Sequence, residues 1–263
     1  MRTILNLNAK WAFSKEATSL PTAVDSRWNF VNLPHSWNAI DGQDGGNDYF
    51  RGTGWYAKTL SKAELPEAER YYLEFRGANS SADVYMDGKH LAHHDGGYST
   101  WRVDITEALS AMSLLVVKVD NAANDRVYPQ MADFTFYGGL YRDVNLICVS
   151  ESHFDLDYYG GSGIAVTPEI VGQDARVTVN AYISNLKPHQ TIRYSIHTKC
   201  GCEIASVETA DPTSVLNIEN VHLWHGRKDP YLYTATVQLL DGEDEVSGVG
   251  GAIGIGGADQ VAA

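Results

Sequence analysis

Along this chain the apolar residues fall into short runs that repeat every second position, and no stretch sustains the 3.6-residue repeat of a long amphipathic helix. A period of two belongs to β-strands, whose successive side chains point to opposite faces of a sheet. Tyr71-Tyr72-Leu73-Glu74-Phe75, Ala82-Asp83-Val84-Tyr85-Met86, Leu114-Leu115-Val116-Val117-Lys118-Val119 and Asp143-Val144-Asn145-Leu146-Ile147 are β-branched or aromatic and bounded by turn residues. Asp87-Gly88, between Met86 and Lys89, accepts the positive φ angles of a type I′ turn and predicts a two-residue hairpin. Asp104-Ile105-Thr106-Glu107-Ala108-Leu109 is the one convincing helical turn in this half, with Asp104 or Thr106 as its cap.

The second half keeps the alternation with different spacing. Ile164–Thr167, Ala175–Ile183, Ile192–Ile196, Ser214–Ile218 and Leu232–Leu239 alternate inward apolar and outward polar side chains. Roughly seven such strands in about 100 residues suit an immunoglobulin-like sandwich. At 263 residues, 44% of them hydrophobic, the chain is long enough for two modest cores. The break falls near Ser150-Glu151-Ser152, giving domains at 1–150 and 151–250. Residues 251–263, small and glycine-rich, read as the end of a last strand and a loose tail.

A formal charge of −13, without clustered Lys and Arg, argues against nucleic acid as a partner. No apolar run reaches bilayer length, and Asn6, Asn8 and Lys10 interrupt the N-terminus before a signal-peptide core forms, so the expectation is a soluble, cytoplasmic protein without a membrane partner. Cys148, Cys200 and Cys202 have no disulfide-framework spacing, which fits a reducing compartment. Cys200-Gly201-Cys202 lacks both the two-residue spacer and the second cluster of a zinc or redox motif. Asn79-Ser80-Ser81 matches a glycosylation sequon without a secretory leader to support it.

The chemistry concentrates in Asp133-Phe134-Thr135-Phe136-Tyr137-Gly138-Gly139-Leu140-Tyr141-Arg142-Asp143-Val144. Carboxylates and aromatic rings together suit a pyranose, which offers hydroxyls at its rim and apolar C–H faces. The same residues also read as a Gly-Gly hairpin between two ordinary strands.

Five motifs, in order, carry a resemblance to a known family. Leu33-Pro34-His35-Ser36-Trp37-Asn38 comes first, then Arg51-Gly52-Thr53-Gly54-Trp55-Tyr56, then Ala82–Gly88 with His94-Asp95-Gly96-Gly97-Tyr98. Tyr137–Val144 follows, and Leu223-Trp224 with Asp229-Pro230-Tyr231-Leu232-Tyr233 closes the series. Together they resemble the N-terminal region of glycoside hydrolase family 2 over nearly the whole chain, and look most like its β-galactosidase branch, with β-glucuronidases and β-mannosidases as relatives. The resemblance implies an all-β chain: a jelly-roll, galactose-binding-domain-like β-sandwich followed by an immunoglobulin-like β-sandwich.

It also implies a retaining glycosidase whose two catalytic carboxyls lie in a (β/α)₈ barrel, for which this sequence has no alternating strand–helix pattern. The expectation is a set of accessory domains, inactive alone, from a parent enzyme acting on β-galactosides, with a C-terminal barrel and a homo-oligomer as partners. A stand-alone carbohydrate-binding module and an oligomerising β-sandwich pair are the competing classes.

By the same resemblance Asp133 matches an aspartate that contacts sugar hydroxyls and, in some relatives, helps ligate sodium. The chain itself calls for no cofactor, and sodium or magnesium enters only with the parent enzyme. Arg51 stands where some β-galactosidases carry a substrate-facing asparagine; its guanidinium fork suits a carboxylate, which leaves a uronic-acid substrate open. Alternatively, Arg51 pairs with Asp48 or Asp44 to pin its loop. The other conspicuous residues favour structure: Arg142 tying a loop, Trp37, Trp55 and Trp101 filling core, and His35 in buried hydrogen bonding. His93 and His94, as strand neighbours, face opposite sides and cannot share a metal.

Overall fold

The computed structural model describes residues 2–25, 27–41, 49–128 and 135–256. The chain divides into two compact units, one formed by Thr3–Cys148 and the other by the residues from Val149 onward. Among the described residues every regular element is a strand, apart from one 3₁₀ turn at Lys62–Glu64.

The first unit is built from β1 (Thr3–Asn6), β2 (Trp11–Ser14), β3 (Asn29–Val31), β4 (Thr53–Ser61), β5 (Arg70–Phe75), β6 (Ser81–Met86), β7 (Lys89–Asp95), β8 (Trp101–Asp104), β9 (Met112–Asp120) and β10 (Val144–Val149). They form a six-stranded sheet in the order β3-β2-β4-β9-β6-β7 and a four-stranded sheet in the order β1-β10-β5-β8. Apart from the pairs β2–β3 and β6–β7, the neighbours in these orders are not consecutive in sequence, as expected of a jelly roll. Alternate residues of the strands supply the core between the sheets: Trp11 and Phe13, Leu73 and Phe75, Ala82 and Val84, Val117 and Val119, Val144 and Leu146. Burying the valine, leucine and phenylalanine side chains among them contributes about 1.5–3 kcal/mol each. The other face of the six-stranded sheet is covered by Leu20, Val24 and Trp28 from the β2–β3 connection, packed on Trp55, Ala57 and Val116.

The Asp87-Gly88 turn has the predicted geometry, with φ of 49° and 83°. The Asp104–Leu109 segment is the single capped turn read from the sequence. Asp104 Oδ1 accepts the Thr106 N–H at 2.9 Å, and the chain then makes one turn closed on the Ile105 carbonyl. Ile105 and Leu109 are buried, so the segment is a short plug rather than the start of a helix.

β10 is buried at all six positions, with Val144, Leu146 and Cys148 facing the inter-sheet core. On the opposite face Asn145 joins a buried polar group: Glu74 accepts from Arg102 Nη2 at 2.7 Å, from Arg102 Nε at 2.9 Å and from Asn145 Nδ2 at 3.1 Å. Burial alone would raise the Glu74 carboxyl, but the hydrogen bonds from Asn145 and Arg102 hold it below its ordinary value.

The second unit comprises β11 (His153–Phe154), β12 (Ile164–Val171), β13 (Asp174–Ala181), β14 (Ile183–Ser184), β15 (Gln190–His197), β16 (Glu203–Thr209), β17 (Thr213–Ile218), β18 (Tyr233–Asp241) and β19 (Asp244–Ile253). A three-stranded sheet, β12-β13-β17, and a four-stranded sheet, β16-β15-β18-β19, enclose a core of Val177, Val179, Ile192, Tyr194, Leu216 and Val237. This is the immunoglobulin-like sandwich, its alternation plain in β18, where Tyr233, Ala235, Val237 and Leu239 point inward. The last strand ends at Ile253, and residues 257–263 lie outside those described.

Candidate functional site

In the first unit, three loops close on the segment 135–140, and two buried asparagines hold them there. Asn38, fully buried, donates from Nδ2 to the Phe50 carbonyl at 2.9 Å and to Asp41 at 3.2 Å, while its Oδ1 accepts the Gly138 N–H at 2.8 Å. Asn121, also buried, accepts the Gly52 N–H at 2.8 Å and donates to Asn38 Oδ1 at 3.2 Å and the Phe136 carbonyl at 3.3 Å. Loop backbone groups taken out of water need such partners, and an amide that both donates and accepts can serve two loops at once. Ser36 Oγ adds a bond to the Gly138 carbonyl at 2.9 Å, and Phe136 N donates to the Tyr49 hydroxyl at 3.3 Å.

The glycine pair is not a hairpin. Gly139 bridges Asn79, whose N–H donates to the Gly139 carbonyl at 3.1 Å and whose carbonyl accepts the Gly139 N–H at 3.2 Å. Both glycines are there for close approach. A Cβ on Gly138 would overlap the indole of Trp37, and one on Gly139, at φ +127°, would lie 2.7 Å from the Tyr56 hydroxyl. Behind them His35 Nδ1 sits 2.8 Å from the same hydroxyl, which also accepts the Leu140 N–H at 3.3 Å. Burial first, then the Lys15 charge, pushes His35 below its ordinary value. A neutral imidazole therefore accepts a hydrogen bond from the Tyr56 O–H, and the pair serves packing rather than proton transfer.

Asp133, the leading sequence-predicted sugar contact and sodium ligand, lies outside the described residues, as do Asp44 and Asp48. The clamp fixes the chain at Phe136, three residues after Asp133. Arg51 is half-buried in the middle of the three-loop cluster: its Nε donates to the Asn121 carbonyl at 3.0 Å and its guanidinium lies 5.9 Å from the Tyr49 ring centre. The structure thus brings Arg51 and the 135–140 segment onto one hydrogen-bonded platform.

Other motif residues turn out to be framework. Arg142 Nη1 donates to the carbonyls of Tyr98 at 2.9 Å and Arg76 at 3.2 Å, tying two loops. Trp37, Trp55 and Trp101 are all buried; Trp37 stacks on Phe13 and Trp101 on Phe75 and His94. His93 bonds Asp83 at 2.8 Å, while His94, on the other face of β7, meets Ser99 at 3.0 Å. Asn79 is buried with its Nδ2 donated to the Tyr137 carbonyl at 2.8 Å, so the sequon is a structural bracket inaccessible to a glycan. Among the described residues no cluster of three or more His, Cys, Asp or Glu could hold a metal ion.

Comparison with known proteins names the platform. The sequence profile described as "Glycosyl hydrolases family 2, sugar binding domain" matches residues 38–150, which contain nearly the whole clamp, and that of "Glycosyl hydrolases family 2" matches residues 162–255. The chain belongs to glycoside hydrolase family 2. A β-glucuronidase of Bacteroides fragilis is 30% identical, over 93% of this chain and 39% of its own length. A β-galactosidase of Thermoanaerobacter pseudethanolicus is 26% identical, over 93% of this chain and 34% of its own. Among solved structures, an FMN-binding β-glucuronidase from Facaelibacterium prausnitzii L2-6 superposes with a TM-score of 0.87 at 36% identity, covering 97% of this chain and 39% of that one. The chain therefore spans between a third and two fifths of the length of these family 2 relatives.

Asn38 and Asn121 are the residues that motif reading passed over as functional supports. Asn38 ends the first family motif, but nothing near Asn121 in sequence marks it, because its partners are 15, 69 and 83 positions away.

Proposed function

We propose that this chain is the non-catalytic, sugar-binding N-terminal region of a retaining family 2 glycosidase acting on β-glucuronides. The observation that carries the reading is that relatives named β-glucuronidase match nearly the entire chain at 30% identity in sequence and 36% among solved structures, against 26% and 31% for the β-galactosidases compared. A glucuronide differs from a neutral hexoside in presenting a carboxylate, and a guanidinium fork is the side chain best matched to it. Arg51, anchored through Nε to the Asn121 carbonyl, is a preorganised candidate for that contact. Asp133 would accept hydrogen bonds from sugar hydroxyls, a role that requires no ion.

Retaining hydrolysis needs two carboxyls about 5 Å apart across the glycosidic bond. In this proposal a barrel domain of the whole enzyme supplies them, and the 263-residue chain alone does not hydrolyse glycosides. β-Galactosidase is the second reading, supported by the Thermoanaerobacter relative of that name. The deciding experiment assays the whole protein with nitrophenyl β-glucuronide and nitrophenyl β-galactoside. The expected kcat/KM favours the glucuronide by about 100-fold or more, because a site built for a carboxylate is left with unpaired polar groups by a neutral sugar. A galactoside turned over better than the glucuronide would replace this reading with the second.

A further inference from the structure

Cys200-Gly201-Cys202 lacks the spacing of a familiar redox motif, yet the structure brings its two sulfurs together. The motif forms the tip of the hairpin joining β15 to β16. Thr198 organises the tip: its N–H donates to the Cys202 carbonyl and its carbonyl accepts the Gly201 N–H, both at 2.9 Å. Its hydroxyl lies 3.0 Å from Cys200 Sγ and accepts the Cys202 N–H at 3.2 Å. Gly201 turns the chain at φ +85° with open space around it. Both cysteines are exposed, and their sulfurs stand 3.4 Å apart.

A disulfide requires about 2.05 Å between sulfurs. The remaining approach is within reach of side-chain rotation at this turn, since a glycine separates the cysteines and both are exposed. Cys148, in contrast, is buried in the first unit, where desolvation pushes its thiol up to about 11.

We propose that Cys200 and Cys202 are a reversible dithiol–disulfide pair that exchanges with low-molecular-weight disulfides such as oxidised glutathione. In the first step the Cys200 thiolate attacks one sulfur of the small disulfide, breaking its S–S bond and releasing one thiol. Cys202, deprotonated, then attacks the Cys200 sulfur of the mixed disulfide and expels the second thiol. The protein pair loses two electrons and two protons, and the small disulfide gains them as two thiols. The order of attack follows from the hydrogen bonding. Thr198 and Cys202 both stabilise a Cys200 thiolate and bring it down to about 7, while the same pairing raises Cys202.

The test equilibrates the protein with graded ratios of reduced and oxidised glutathione, quenches with acid, alkylates free thiols and weighs the tip peptide. The expected result is loss of two hydrogens from that peptide at a defined ratio, reversed by dithiothreitol, with Cys148 unreacted in the folded protein. Cys202→Ser should trap a glutathione adduct on Cys200. Cys200→Ser should react at least tenfold more slowly at pH 7 than Cys202→Ser. A wild-type peptide that stays dithiol at every ratio, or that keeps a glutathione adduct without closing the ring, would overturn the proposal. So would equal rates for the two variants.

Discussion

Replacing Asn38 by alanine tests whether the asparagine clamp holds the sugar-binding unit together at its functional edge. The substitution removes the 2.9 Å bond to the Phe50 carbonyl and the 2.8 Å bond from the Gly138 N–H, and leaves that buried N–H without its acceptor. Two such bonds contribute about 1 kcal/mol each, and the orphaned donor costs about 1–3 kcal/mol more, for a total of about 3–5 kcal/mol. With a urea m-value of about 2 kcal/mol/M, the midpoint for the first unit should fall by about 1.5–2.5 M. The assay is urea unfolding followed by tryptophan fluorescence, which reports the first unit through Trp11, Trp37, Trp55 and Trp101. Asn38→Asp sharpens the test. It keeps the shape and the acceptor for Gly138 but sets a carboxylate against the Phe50 carbonyl and the Asp41 carboxylate, so it should be no better than alanine. A midpoint shift below about 0.3 M for either variant would refute the clamp.

Gly138→Ala should cost at least about 2 kcal/mol in the same assay, because its methyl must displace the Trp37 indole, a rigid buried ring. Glu74→Gln leaves Arg102 buried without its carboxylate and should cost about 3–5 kcal/mol at pH 7. Since the Glu74 carboxyl is held below its ordinary value of 4.5, its contribution is complete above that pH and is lost as the pH falls through the lower folded value. The gap in melting temperature between wild type and Glu74→Gln should therefore narrow below pH 4.5, and a gap that is constant with pH would count against the ion pair.

Strands that bury one face were legible in the sequence because burial imposes the alternation directly. β13 and β18 are examples, each with apolar residues at every second position. β16 was not, since Glu203–Thr209 is largely exposed and its placement comes from pairing with β15 rather than from a buried face. The plug at Asp104–Leu109 carries a true cap signal but too few residues to propagate a helix. At the site, the glycine pair and the aromatic residues stood out, yet their purpose did not. Gly138 and Gly139 answer to Trp37, His35 and Tyr56, all distant in sequence. Lone asparagines such as Asn121 look like turn residues until folding surrounds them with unpaired backbone groups.

The most direct test of the sugar-holding role is kcat/KM of the whole protein for a β-glucuronide before and after Asp133→Ala. One charge-assisted hydrogen bond to a sugar hydroxyl is worth about 1.5–3 kcal/mol, so kcat/KM should drop about 10- to 150-fold with the urea midpoint of the first unit unchanged. A variant that retains wild-type kcat/KM to within about twofold, or that loses stability in step with activity, would contradict the account.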